Sequence, residues 1–155
     1  MNATYAADNM TQRQRLFALT TKFTETDLTR QLANGWSVAT KLAHLAFWDH
    51  YYLALIESWE RTGFTSSSTE TDAINEAVRF LSRGIPPVAA VRLVRAAAEA
   101  IDQKLESITP DLEAAIEASG RVRLLRRAIH RREHLDQIES ALGGSSFHGR
   151  DHPDE

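Results

Sequence analysis

Apolar residues along this chain recur at three-to-four spacing, and no stretch shows the sustained period-two alternation or tight Asn-Gly and Asp-Gly turns of paired strands. That pattern commits the chain to helices whose apolar stripes must cover one another. The periodicity predicts a first helix over about Met10 to Phe23, with Leu16, Leu19 and Phe23 on one side. A second segment, Thr24 to Gly35, stops at Asn34-Gly35. Ser37 is a suitable N-cap for a long helix reaching about Trp59, although Thr40 stands where a full capping box wants Glu or Gln. Its stripe is Val38, Leu42, Leu45, Tyr52 and Ile56. Gly63 to Glu70 reads as a polar linker, and Asp72 to Arg83 as the next helix. Pro86-Pro87 interrupts it, and a helix restarts near Pro87 and runs to about Ile108. Thr109-Pro110 opens a short helix ending at Gly120. The last long helix spans about Val122 to Leu142, with Leu124, Ala128, Leu135, Ile138 and Leu142 as its arc.

The expected architecture is an all-α helical bundle with one core and a short additional helix. It occupies residues 1–142 as one domain, followed by a disordered tail over 143–155 that begins Gly143-Gly144-Ser145-Ser146. At 155 residues the chain can bury a core without staples. It contains no cysteine, which excludes disulfides, thiolate ligands and a thiol nucleophile of its own. A formal net charge of -3 and the lack of a recognition motif argue against nucleic acid as partner. No apolar run approaches the roughly 18 residues of a membrane span, and the N-terminal stretch lacks the apolar core of a secretory signal. The expectation is a cytoplasmic protein with no membrane partner.

Six histidines carry the chemistry. His130 and His134 are four apart on the last helix, which sets their Cβ atoms about 5–6 Å apart on one face, near enough to share an ion. His44 flanks the stripe of the Ser37 helix, on the side of Lys41 and Trp48. If these two helices are neighbours, three nitrogens can converge on one metal; otherwise the three imidazoles make separate hydrogen bonds at the edges of the core. His148 and His152 repeat the spacing within the tail, where no rigid face supports them, and His50 falls opposite the stripe. His130-Arg131-Arg132-Glu133-His134 matches the inverted zinc-protease signature, but too little chain follows to supply its further acidic ligand. No histidine has Glu three residues before it, which argues against a ferritin-like di-iron site.

Gly35-Trp36-Ser37-Val38, Lys41-Leu42-Ala43-His44-Leu45, Ile129-His130 and His134-Leu135, in this order and spacing, resemble the DinB-like superfamily. That group includes the metal-binding domain of mycothiol-dependent maleylpyruvate isomerase and a set of thiol transferases. The resemblance implies a four-helix bundle with His44, His130 and His134 as ligands of a divalent metal, and a homodimer. It also implies a metal-dependent enzyme acting on electrophiles, with a low-molecular-weight thiol as cosubstrate of an S-transferase. The alternatives are a hydrolase on the same scaffold, or a non-catalytic metal-binding or stress-related dimeric module.

An all-imidazole ligand set without thiolate leaves positions open, as catalytic zinc sites do, and suits nickel and iron as well as zinc. Arg123 and Arg127, one to two turns before the histidine pair, could hold a carboxylate of a small-molecule substrate or thiol by forked hydrogen bonds. The cluster Arg121, Arg123, Arg126, Arg127, Arg131 and Arg132 is otherwise expected to be largely solvated or paired with nearby acids. Asp49 lies within the apolar stripe, placed to orient a ligand histidine, meet substrate or sit at a dimer contact. Trp48, Tyr51, Tyr52 and Trp59 could line a pocket or fill the core, and Asn75 could face the site.

Overall fold

The computed structural model describes residues 1–66 and 68–143. The expected tail lies, apart from Gly143, outside the described residues, as do His148 and His152. Eight helices follow one another among the described residues: α1 (Ala3–Lys22), α2 (Glu25–Thr29), α3 (Val38–Thr62), α4 (Thr71–Ser82), α5 (Pro87–Glu106), α6 (Pro110–Ala118), α7 (Val122–Leu125) and α8 (Arg127–Ala141). The described chain contains no strand, only an isolated antiparallel bridge between Gln31 and Ser37. The four long helices close a ring in which α3 packs on α5 and α8, and α1 packs on the same two. This is the all-α bundle expected from the spacing, with α6 as the short additional helix.

Local chemistry accounts for most helix ends. The Ser37 hydroxyl accepts from Thr40 N at 3.0 Å and starts α3. Pro87 occupies the first turn of α5, where its missing N–H costs nothing. Thr109 caps α6 through Leu112 N, with Pro110 next in line. Gly120 follows α6 at φ 76°, the left-handed conformation that only glycine adopts at little cost.

Three segments depart from the expected spans, each for a visible reason. α1 begins at Ala3, not near Met10, because the Asn2 side chain accepts from Thr4 N and caps it there. The helix expected over Thr24 to Gly35 is only α2: a Thr24–Asp27 capping box starts it and Leu28 anchors it. Beyond Arg30 the backbone pairs elsewhere, Leu32 N donating to Trp36 O and Val38 N to Arg30 O. The last helix divides at Arg126, whose φ of -98° and ψ of 67° are not helical. Buried Asn9 of α1 patches the break: its amide donates to Leu125 O at 2.9 Å, and its carbonyl accepts from Ala128 N at 2.8 Å.

The core has two apolar clusters. One gathers Leu16, Val38, Leu42, Leu45, Val94, Ala98, Leu135 and Ile138. The other gathers Ile56, Trp59, Ile101, Leu105, Ile116, Leu124 and Leu125. Five buried polar residues, Asn9, Asp49, Asp102, Arg127 and Arg131, lie along the four long helices between the positions that form these clusters. The histidines sit beside this polar layer. No helix among the described residues is long and apolar enough to cross a membrane.

Candidate metal centre

The pairing of α3 with α8 brings His44 to the His130–His134 pair. The three Nε2 atoms form a triangle with all sides 3.1 Å. Two nitrogens that each lie about 2.0–2.1 Å from one ion, at about 95–100° to each other, are about 3.1 Å apart. The spacing of the donor set therefore fits one ion. His44 Nδ1 is buried without a hydrogen-bond partner. A proton placed there leaves the Nε2 lone pair facing the other two rings. His134 Nδ1 is 3.0 Å from Gln137 Oε1, to which it donates, so its Nε2 lone pair also faces inward. Both arrangements suit a metal ligand, and the Gln137 contact is the kind that fixes a ligating ring.

His130 differs. Its Nδ1 lies 2.8 Å from Arg127 Nη2, and a guanidinium can only donate, so Nδ1 accepts. Neutral His130 accordingly carries its hydrogen on Nε2, between the two facing acceptors. That hydrogen would have to leave for His130 to ligate through the same atom.

Electrostatics keep all three rings neutral near pH 7. Burial, then the neighbouring His134 and Lys41, push His44 down to about 3. Burial and Lys41 push His134 down to about 4. Burial and the Arg127 charge hold His130 well below its ordinary value. Trp36 packs edge-on to His44, with ring centroids 5.3 Å apart, and closes one side of the site.

The triad opens into a cavity of about 520 Å³, within the range of small-molecule sites. Trp48 and Tyr52 of α3 form one wall, and Asn75 of α4 is tied to it by the Trp48 indole N–H at 3.0 Å. Asn34, Trp36 and Lys41 come from the α2–α3 connection and the start of α3. Arg123 and Arg127 line the α8 side.

The four residues expected to contact substrate thus separate. Trp48 and Arg123 line the cavity, and Arg123 is exposed and paired with Glu133 at 2.6 Å. Arg127 reaches the cavity but is 1% exposed, and its Nε donates to Asp49 Oδ1 at 2.7 Å. It is therefore committed to Asp49 and His130 rather than free to fork onto a carboxylate. Asp49 does not line the cavity at all: it is fully buried behind Arg127 and Arg131. It bears on the triad through Arg127, not by touching a histidine or a substrate, and an apolar-stripe position left no other place for its charge. Burial would raise Asp49, but Arg131 and Arg127 outweigh it and hold the carboxyl below its ordinary value.

Arg131 is the residue that the sequence hid. It is 0% exposed and bonds both Asp49 and Asp102, to the latter at 2.9 Å. The signal was an acid inside an apolar stripe, which demands a buried cation nearby. Of the remaining arginines, Arg132 is exposed as expected, while Arg126, paired with Asp8, and Arg121, over Trp59, are half-buried, each with one buried guanidinium nitrogen that has no hydrogen-bond partner among the described residues. His50 is exposed, as its position opposite the stripe predicts.

No curated protein and no solved structure gives a significant match to this chain. The model of one family does, and it spans both the helix that bears His44 and the one that bears His130 and His134. With residues 10–153 matched, the chain belongs to the DinB superfamily.

Proposed function

We propose that this chain holds one divalent metal through His44, His130 and His134 and works as a metal-dependent enzyme on electrophiles, as an S-transferase for a low-molecular-weight thiol. The observation that carries the reading is the Nε2 triangle, 3.1 Å on each side, at the floor of a cavity of about 520 Å³. Zinc is the first choice of ion, with nickel and iron compatible with three imidazoles. When bound, such an ion supplies an electropositive centre that lowers the pKa of a thiol or water and leaves positions free for it.

The chain's own residues would do the rest. Arg127, held by Asp49, fixes the His130 ring, and Gln137 fixes that of His134. Trp36, Trp48 and Tyr52 exclude water from one side of the cavity and offer apolar surface to an electrophile. Having no cysteine, the chain takes its sulfur from a small molecule. A hydrolase would use the same residues with water in place of the thiol.

The test is a turnover assay of zinc- and nickel-loaded protein with mycothiol, bacillithiol or glutathione and a fluorogenic bimane electrophile, beside His44→Ala. Turnover with at least one thiol, lost in the variant, supports the transferase. Thiol-independent consumption of the electrophile favours the hydrolase, and no difference from the variant under any condition removes the enzyme reading.

A further inference from the structure

The cavity beside the histidines carries a charge with no anionic partner among the described residues. Lys41, in the first turn of α3, is 3% exposed and lines the cavity with His44, His130 and His134. Its ammonium sits 4.5 Å from the centroid of the Trp36 ring. It makes no hydrogen bond or ion pair among the described residues. Burial pushes its pKa down, and its position at a helix N-terminus sets it against the positive end of the helix dipole. A buried cation is ordinarily paired. Among the described residues this one has no ion-pair partner, and no Asp or Glu of theirs lines the cavity.

The other cations there are already matched, Arg127 by Asp49 and Arg123 by Glu133. Two amides complete the picture. Asn34 Oδ1 accepts from Trp36 N at 3.2 Å, and Asn75 Oδ1 accepts from the Trp48 indole. Both residues line the same cavity, and their NH2 groups have no protein acceptor among the described residues.

We propose that Lys41 anchors a carboxylate carried by the small molecule this cavity takes, with the Asn34 and Asn75 amides as further donors; this rests on reading the histidine cavity as the substrate site. In the metal-free protein one uncompensated cation balances a monoanion, which favours a carboxylate over a phosphate dianion; a bound divalent ion would add its own charge to the same cavity. The ammonium is an anchor rather than a reacting group, so its removal costs binding of the anion and leaves the metal ligands in place.

Butyrate, butyramide and inorganic phosphate, titrated into metal-free and zinc-loaded full-length chain, test the assignment, with tryptophan emission as the readout because Trp36 covers Lys41. Wild type is expected to prefer butyrate over butyramide by at least about tenfold, the worth of one charge-assisted hydrogen bond. Lys41→Gln is expected to lose that preference and Lys41→Arg to keep part of it. Lys41→Met is expected to melt at or above wild type, since a buried unpaired cation is a cost to the fold. In the metal-free protein, equal response to butyrate and butyramide, a preference that survives Lys41→Gln, or phosphate binding as tightly as butyrate overturns the assignment. The metal-free arm needs no ion: failure to load zinc removes the enzyme reading but leaves the Lys41 result readable. Turnover by a zinc-loaded protein without carboxylate preference removes only Lys41.

Discussion

At the scale of residues, the three histidines are chemically unequal because each has a different second partner. His134 donates to Gln137, His130 accepts from Arg127, and His44 Nδ1 has none. Gln137 is exposed, so its loss should trouble the ring it holds more than the fold. Gln137→Ala is expected to weaken zinc affinity by about 10–100-fold in competition with a chelator, the usual effect of removing an outer partner, with little change in metal-free melting. Asp49 is the opposite case. Asp49→Ala leaves Arg127 and Arg131 buried with a charge unmatched, which costs about 3–5 kcal/mol; urea denaturation should record a loss of that size. The histidine pair was legible because a spacing of four on one helix face needs no knowledge of the fold. The work of Lys41, Asp49 and Arg131 was not, since whether a buried charge meets a partner depends on how α3 and α8 are rotated against each other.

At the scale of elements, the break between α7 and α8 decides where the arginines point. Periodicity ran through it because the apolar positions Leu124 and Ala128 remain four apart and both stay buried. The interruption is written in Asn9, more than a hundred residues away, and no local pattern could announce it. Asn9→Leu removes the partners of Leu125 O and Ala128 N, each then an unsatisfied buried group worth about 1–3 kcal/mol. The expected outcome is destabilisation by about 2–4 kcal/mol, together with faster amide exchange at Ala128; an unchanged exchange rate there would contradict the role given to Asn9. The α2 segment misled for a related reason. The structure forms a Thr24–Asp27 capping box at its start, but Leu32 and Val38 find backbone partners in the connection and end the helix early. By contrast, the starts of α3, α5 and α6 followed directly from Ser37, Pro87 and Thr109, where the signal is a side chain acting on its own first turn.

At the scale of the whole molecule, a bundle with two apolar clusters carries a buried polar layer, and the histidines beside it make stability depend on pH. His44 and His134 are depressed from about 6.5 in an unfolded chain to about 3 and about 4 in the folded one. Between those values the unfolded chain binds more protons, so folding stability rises with pH. It is fully present above about 6.5 and is lost as pH falls through that window. Asp49, held low, adds a further loss below its ordinary range, while Asp102, raised by burial against the pull of Arg131, works in the other direction. The urea midpoint of metal-free wild type should fall more between pH 7 and pH 5 than that of His44→Ala/His134→Ala. Parallel curves would mean that the histidines are solvated in solution.

The central claim is that the three rings are a ligand set and not merely neighbours. The most direct measurement is elemental analysis of untagged full-length chain, as purified and after loading with zinc or nickel, beside His44→Ala/His130→Ala/His134→Ala. The account predicts close to one ion per wild-type chain, none retained by the variant, and a wild-type melting temperature that rises with metal as mass action requires. No retained metal in wild type after loading, or equal retention by the variant, would contradict it.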